Sequence, residues 1–145
     1  MSKKEGFEFL EHTADAYIAA YGKDLAEAFE NAARAMFEVM TDVKNVDPKT
    51  EDSVEVAEED EYALLYSWLE ALLVKFDTEG FLYSRFKISS ITESSGSLSL
   101  KAKIWGEKFD AKKHLQKVGV KAVTYHRMEI NKKSGEVLVK FILDI

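Results

Sequence analysis

The stretch His12-Thr13-Ala14-Asp15 separates two apolar runs, Phe7–Leu10 and Tyr17–Tyr21. Both runs carry the aromatic and aliphatic residues that are typical of short, half-buried strands. Aspartate is depleted in strands, so the polar stretch interrupts the strand pattern. Because functional sites are where sequences most often break their local pattern, this stretch is the first candidate for a site.

Two helices are predicted after these strands. The first begins with Asp24 as its cap and Glu27 three residues later, and its apolar residues keep to one face as far as Met40. The second is capped by Asp60, has apolar residues at intervals of three and four, and stops at Gly80, where a left-handed cap is expected. We expect the second helix to be the main buried element of the core.

The remaining segments read as strands. Glu51–Glu59 alternates valines with acids, and from residue 81 the apolar period is two, with a hairpin around Ser94–Ser97. Asp110–Val118 is predicted to be a loop or one helical turn. Ala122–Ile130 and Glu136–Leu143 are predicted strands joined by a five-residue connection. These elements predict an α+β fold of antiparallel or mixed β-sheets, with two main helices packed on one sheet.

Composition narrows the class of protein. A chain of 145 residues without cysteine fits one domain, residues 1–145, and excludes disulfide frameworks and cysteine nucleophiles. No run reaches the roughly 18 apolar residues of a membrane span, so a cytoplasmic protein without membrane contact is expected. Residues 1–80 hold 7 basic and 20 acidic side chains and residues 81–145 hold 13 and 6, which predicts fields of opposite sign on one surface. Abundant Lys and Glu with few amides also resemble a heat-adapted protein.

The sequence also lacks the common catalytic motifs. It contains no Gly-rich phosphate loop, no G-x-S-x-G and no H-E-x-x-H. The usual nucleotide-binding, α/β-hydrolase and zinc-protease classes are therefore not indicated.

Other polar residues that could join Asp15 in one site lie far from it in the sequence. They are the stretch Lys121–His126 and Asp144, one residue before Ile145 at the end of the sequence. We expect the three stretches to meet and form an acidic metal site with Asp15, Asp144 and the α-carboxylate of Ile145 as ligands. Oxygen donors of this kind suit Ca²⁺, Mg²⁺ or Mn²⁺ better than zinc. The alternative is that Asp15 caps a turn and Asp144 is simply exposed.

The other polar residues of these stretches have two interpretations each. His12 and His126 could orient the carboxylates or exchange protons near neutral pH, although strand parity places His126 with Met128 on a core face. Thr124 could bond to backbone at a strand end. The lysines between Lys108 and Lys121 could bind phosphate groups. We expect them instead to be exposed to solvent without a ligand, because no aromatic residues for base stacking are interleaved with them.

Four segments together resemble the archease family. They are His12–Asp15, the helix run Trp68–Leu73 (W-L-E-A-L-L), Lys121–His126 (K-A-V-T-Y-H) and the final Leu143–Ile145. They span the whole chain in the order found in that family. Many relatives have Asp before the His, where this chain has Glu11, and this departure leaves Asp15 untouched.

The resemblance implies a non-catalytic accessory protein of the RtcB-type tRNA-splicing RNA ligase. Family members promote guanylylation of the ligase and its multiple turnover. The resemblance therefore implies that this protein acts on tRNA indirectly, through the ligase. The resemblance makes Asp15, Asp144 and Ile145 the metal ligands and places His12, Lys121 and His126 in the shared functional motifs. An older proposal for the family is a chaperone-like modulator of a tRNA methyltransferase.

Two readings from other classes stay open at this point. A metal-dependent hydrolase or nucleotidyl enzyme would use Asp15 and Asp144 itself and would show turnover without a ligase. A dedicated RNA-binding module would show tight, salt-sensitive affinity for RNA in isolation.

Overall fold

The computed structural model describes residues 6–10 and 15–145. Within these ranges the chain forms two α-helices, eight strands and a 3₁₀ turn. In chain order they are β1 (Phe7–Leu10), β2 (Ala16–Gly22), α1 (Leu25–Met40), the 3₁₀ turn (Val43–Asn45), β3 (Thr50–Glu58), α2 (Glu61–Glu79), β4 (Phe81–Ser94), β5 (Ser97–Lys108), β6 (Ala122–Val123), β7 (Glu129–Lys133) and β8 (Glu136–Asp144).

The strands form two antiparallel sheets. In the first sheet β2 lies between β1 and β8, and the other edge of β8 pairs with both β6 and β7. In the second sheet β5 lies between β3 and β4. The predicted α+β class with antiparallel sheets is confirmed.

Both helices begin and end as their sequences predict. The Asp24 carboxylate accepts the N–H of Glu27 at 2.8 Å, and the Glu27 carboxylate accepts the N–H of Lys23 at 2.8 Å. Asp60 caps α2 in the same way, and Gly80 ends that helix with a φ of 72°, a left-handed conformation that favours glycine. These contacts satisfy backbone groups that a helix end leaves unpaired. In the described part of the chain, no helix is long and apolar enough to cross a membrane.

The hydrophobic core lies between the two sheets. Each helix contacts strands of both sheets, whereas the sequence predicted packing on one. Trp68 of α2 is fully buried, and its indole N–H donates to the carbonyl oxygen of Phe29 in α1 at 2.9 Å. Because a buried donor without a partner costs about 1–3 kcal/mol, this bond favours a single arrangement of the two helices.

The segment Ala122–Ile130 differs from its prediction as one strand. It forms two short strands, β6 and β7, separated by residues 124–128. In this separating loop the N–H of Met128 donates to the carbonyl oxygen of Tyr125 at 3.1 Å, and Arg127 has a φ of 57°. A turn with a left-handed residue cannot continue a strand ladder, so the single-strand prediction is wrong. The predicted loop at Asp110–Val118 is confirmed, with one hydrogen-bonded turn at its start.

Gly106 of β5 lies where β4 and β5 come into close contact. A Cβ at this position would lie 1.8 Å from the carbonyl oxygen of Leu82, which is held in the sheet. We therefore expect Gly106→Ala to destabilise the protein by about 1–3 kcal/mol. Thermal denaturation should show a Tm lowered by about 2–4 °C per kcal/mol.

Gly119→Ala is the matched control for this substitution. No atom lies within 4 Å of a Cβ built at Gly119, so its Tm should stay close to that of the wild type. Equal Tm values for the two variants would contradict the close approach of the strands at Gly106.

Candidate functional site

The end of β8 brings together segments that are far apart in the sequence. Leu143 pairs with Ala16 at the start of β2. On the opposite edge Asp144 pairs with Ala122 of β6, and its carbonyl oxygen accepts the N–H of Lys121 at 2.7 Å. The predicted meeting of the three stretches is therefore observed for their described residues.

The same register sets the relation between the two predicted aspartate ligands. Asp15 directly precedes Ala16, the first residue of β2, and Asp144 directly follows Leu143, its partner in β8. Both aspartates therefore lie at the same end of the β2–β8 strand pair. Asp144 is exposed and Asp15 is partly exposed. Two carboxylates at one end of a strand pair are candidates to share a hard cation.

The metal site predicted at Asp15, Asp144 and Ile145 is not established by these positions. The motif residue His12 lies outside the described residues. Across residues 6–10 and 15–145, no group of three or more His, Cys, Asp and Glu side chains could hold a metal ion. A site at the two aspartates therefore needs a further donor, which the prediction assigns to the α-carboxylate of Ile145. The metal site and its ligand set stay predictions.

Lys121 and His126 are both exposed. Strand parity assigned His126 to a core face together with Met128, and that assignment is wrong because the chain leaves the sheet after Val123. The exposure of His126 excludes the core interpretation, and its functional role stays a prediction.

The loop 124–128 is held against the first sheet at both ends. The N–H and the hydroxyl of Thr124 donate to the carbonyl oxygen of Ile142 at 3.3 and 3.1 Å, as predicted for a threonine at a strand end. The guanidinium of Arg127 lies 5.4 Å from the centroid of the Tyr17 ring in β2, within the range of a cation–π contact. These contacts keep the loop close to the strand ends that carry Asp15 and Asp144.

A buried polar cluster elsewhere was missed by the sequence analysis. Glu107 of β5 and His114 are 4% and 2% exposed, and the Glu107 carboxylate lies 2.9 Å from Nε2 of His114. Glu107 also accepts the N–H of Asp47 at 2.8 Å and contacts Nζ of Lys113 at 2.7 Å and Nζ of Lys49 at 3.3 Å. The cluster joins β5, the loop after it and the segment before β3.

The hydrogen bonds of His114 define its tautomer. Nδ1 accepts the N–H of Asp110 at 2.9 Å, so this nitrogen carries no proton. Nε2 is then the protonated nitrogen and donates to Glu107. His114 therefore acts as a neutral donor inside the fold.

Burial alone would raise the pKa of Glu107, but its hydrogen bonds reverse that effect. Donation by Lys113, by the Asp47 N–H, by His114 and by Lys49 lowers the pKa of Glu107 from 4.5 to about 2. Local sequence patterns could not reveal this cluster, because its members are far apart in the chain, by 60 residues in the case of Asp47 and Glu107.

The fold and the candidate site together define a class of protein: a small α+β protein in which one end of a sheet brings together the chain segments at Asp15, Lys121 and Asp144. Residues 7–145 match the Archease protein family (MTH1598/TM1083). The chain is similar to "Protein archease" of Sulfurisphaera tokodaii, with 50% identity over 96% of this chain and 98% of that protein. It is similar to the one from Methanothermobacter thermautotrophicus, with 48% identity over 97% and 99%.

A solved structure supports the same relation. The solution structure of Methanobacterium thermoautotrophicum protein 1598 has a TM-score of 0.86 and 48% identity, covering 97% of this chain and 99% of that one. The chain belongs to the archease family.

The Glu107 cluster predicts a pH dependence of stability. The folded-state pKa of about 2 lies below the ordinary value of 4.5, so the contribution of Glu107 is fully present above pH 4.5 and is lost as the pH falls toward 2. Glu107→Gln should lower the free energy of unfolding by about 3 kcal/mol at pH 7 and by much less near pH 2. Urea unfolding across this pH range measures the difference.

Glu93→Gln, at an exposed position of β4, is the control and should follow the wild-type curve. A difference between wild type and Glu107→Gln that stays constant from pH 7 to pH 2 would show that the Glu107 charge is not the cause.

Proposed function

We propose that this protein is a non-catalytic activator of the RtcB-type tRNA-splicing RNA ligase. In this proposal it promotes guanylylation and multiple turnover of the ligase through a divalent-ion site formed by Asp15, Asp144 and Ile145. The proposal is supported chiefly by the pairing of Ala16 with Leu143, next to Asp15 and Asp144, in a chain of the archease family.

The donor chemistry suits a hard divalent ion. Asp15 and Asp144 offer carboxylate oxygens only, and the α-carboxylate of Ile145 adds a donor of the same kind. Oxygen sets of this type favour Ca²⁺, Mg²⁺ or Mn²⁺. Such an ion, when bound, neutralises the negative charge that develops on phosphate oxygens during phosphoryl transfer. Asp15 and Asp144 hold the ion at the protein surface, where a partner can reach it.

The exposed position of Asp144 favours an accessory role over catalysis by the protein alone. Enzyme sites usually enclose most of their substrate in a cavity. An apolar cavity of about 210 Å³ lies beside residues 116–119, and a polar cleft of about 580 Å³ lies at the start of α1. Neither is lined by Asp15 or Asp144, and Asp144 itself is exposed.

Lys121 and His126 are proposed to contact the ligase beside the ion. Both are exposed, and the backbone of Lys121 is bonded to that of Asp144. A cationic Lys121 close to the carboxylates suits a partner surface or nucleotide that carries negative charge.

Asp144→Asn should remove the proposed function without unfolding the protein, because the side chain is exposed and contributes little packing. We expect affinity for Mn²⁺, measured by calorimetry, to fall at least tenfold. Incorporation of label from GTP into the ligase should return to the level seen without this protein. Asp77→Asn, an exposed aspartate of α2, is the matched control and should behave as wild type.

Two outcomes would contradict this proposal. Full stimulation by a folded Asp144→Asn protein would exclude the carboxylate site from the activity. Turnover of RNA or nucleotide by the purified protein without ligase would support the alternative of a metal-dependent enzyme.

The role of Ile145 is tested by adding one glycine after it. This addition converts the α-carboxylate of Ile145 into an amide, whose carbonyl is a weaker ligand than an anion with a pKa of about 3.3–3.7. We expect weaker Mn²⁺ binding and weaker ligase stimulation, whereas a glycine added before Met1 should have a smaller effect. Equal Mn²⁺ affinities would show that the carboxylate of Ile145 is not a ligand.

A further inference from the structure

A pair of tyrosines lies where the loop 124–128 meets α2. The rings of Tyr66 in α2 and Tyr125 in the loop are stacked, with centroids 4.4 Å apart and planes 8° apart. Tyr125 is 53% exposed, although aromatic side chains of this size are usually buried. One face of the Tyr125 ring is covered by Tyr66, so its exposed area includes the other face. Exposed tyrosines of this kind are common at the centres of protein interfaces.

Three carboxylates surround this pair. Glu58 ends β3, Asp60 caps α2, and Glu70 follows Tyr66 by one helical turn, where partial burial and then the negative charge of Glu70 raise the pKa of Tyr66. Partial burial, and then the negative charges of Glu58 and its neighbours, raise the pKa of Tyr125. Together Glu58, Asp60, Tyr66, Glu70 and Tyr125 are called the tyrosine platform.

The carboxylates of the platform form no ion pair with a Lys or Arg of the described residues. Glu58 accepts the hydroxyl of Ser67 at 2.6 Å, and Asp60 accepts the N–H of Ala63 at 2.8 Å. Among the described residues, the ion pairs of Lys and Arg go to other acids and none goes to Glu58, Asp60 or Glu70. The platform is therefore an exposed aromatic face with a local excess of negative charge.

We propose that the tyrosine platform binds an arginine side chain of a partner protein. A guanidinium is planar and cationic, so it can stack on the open face of Tyr125 while its N–H groups donate to a carboxylate. Glu58, Asp60 and Glu70 supply that acceptor. A lysine ammonium shares the charge but lacks the flat, forked shape that uses ring and carboxylate together. This inference does not depend on the metal site.

The same carboxylates disfavour RNA as the occupant. Bases also stack on exposed aromatic rings, but single-stranded binding sites combine those rings with basic grooves that follow the phosphates. Here the residues around the rings are acidic, so a phosphate backbone would be repelled.

The test uses the intact protein and a blocked hexapeptide of alternating arginine and alanine. Tyrosine ring resonances are followed by NMR during titration, with an equivalent lysine peptide and hexauridylate as comparison ligands. We expect the arginine peptide to shift the Tyr66 and Tyr125 resonances and to bind at least threefold more tightly than the lysine peptide. The affinity should fall as salt is raised.

Variants separate the platform from general attraction to an acidic protein. Tyr125→Ala and Glu70→Gln should each lower the affinity for the arginine peptide at least threefold. Tyr125→Phe keeps the ring and should retain the wild-type affinity. Glu93→Gln removes an exposed acid elsewhere and should match the wild type. Unchanged affinity in Tyr125→Ala, or shifts confined to residues outside the platform, would overturn the proposal. Stronger shifts of the same rings by hexauridylate would assign the platform to RNA and overturn it as well.

Discussion

Strand β8 is the element on which the rest of the structure depends. It pairs with β2 along one edge and with β6 and β7 along the other, so the first sheet cannot form without it. Its core-facing residues Val139, Phe141 and Leu143 are fully buried. Strands β2 and β8 lie near opposite ends of the described chain. Most of the chain must therefore be present before this sheet closes. Such pairing between distant segments is slow to form, but it fixes the register at the candidate site.

Charge pairing reinforces this joining of the two halves. The sequence predicted separate fields of opposite sign, yet several ion pairs connect an acid of residues 1–80 with a lysine of residues 81–145. Lys117 contacts Glu38 at 2.7 Å and Asp42 at 3.1 Å, and Lys113 contacts Asp47 at 2.7 Å. Exposed pairs contribute little individually, about 0–1 kcal/mol each. The exception is the buried Glu107, whose removal leaves neighbouring donors without their acceptor.

The helices were the most predictable part of the fold, because their signals are local. Asp24, Asp60 and Gly80 each act within four residues, and each performs its predicted capping role. The strand Ala122–Ile130 was not predictable from its alternation, since the bond from Met128 to Tyr125 and the left-handed Arg127 break the ladder without a glycine or proline to signal it. His126 was assigned to the core for the same reason.

The meeting of the three segments was predictable, whereas the ligand set proposed there stays a prediction. Three polar interruptions of apolar strands indicated a common site, and the register of β8 with β2 and β6 gives the reason they meet. The burial of His114 and Glu107 could not be read from local patterns, because it depends on the loop after β5 folding back to the segment before β3. Long-range polar contacts of this kind leave no periodic signal in the sequence.

The two proposed binding features are separated by little chain and are held by the same strand. Thr124 bonds to Ile142, two residues before Asp144, and Tyr125 of the tyrosine platform follows Thr124 directly. Arg127 contacts Tyr17, two residues after Asp15, so the loop is anchored on both sides of the proposed ion site. A protein bound at Tyr125 is thereby held near the end of β8 without any movement of the fold. Preorganisation of this kind lowers the entropic cost of placing a partner's reactive groups beside the two aspartates.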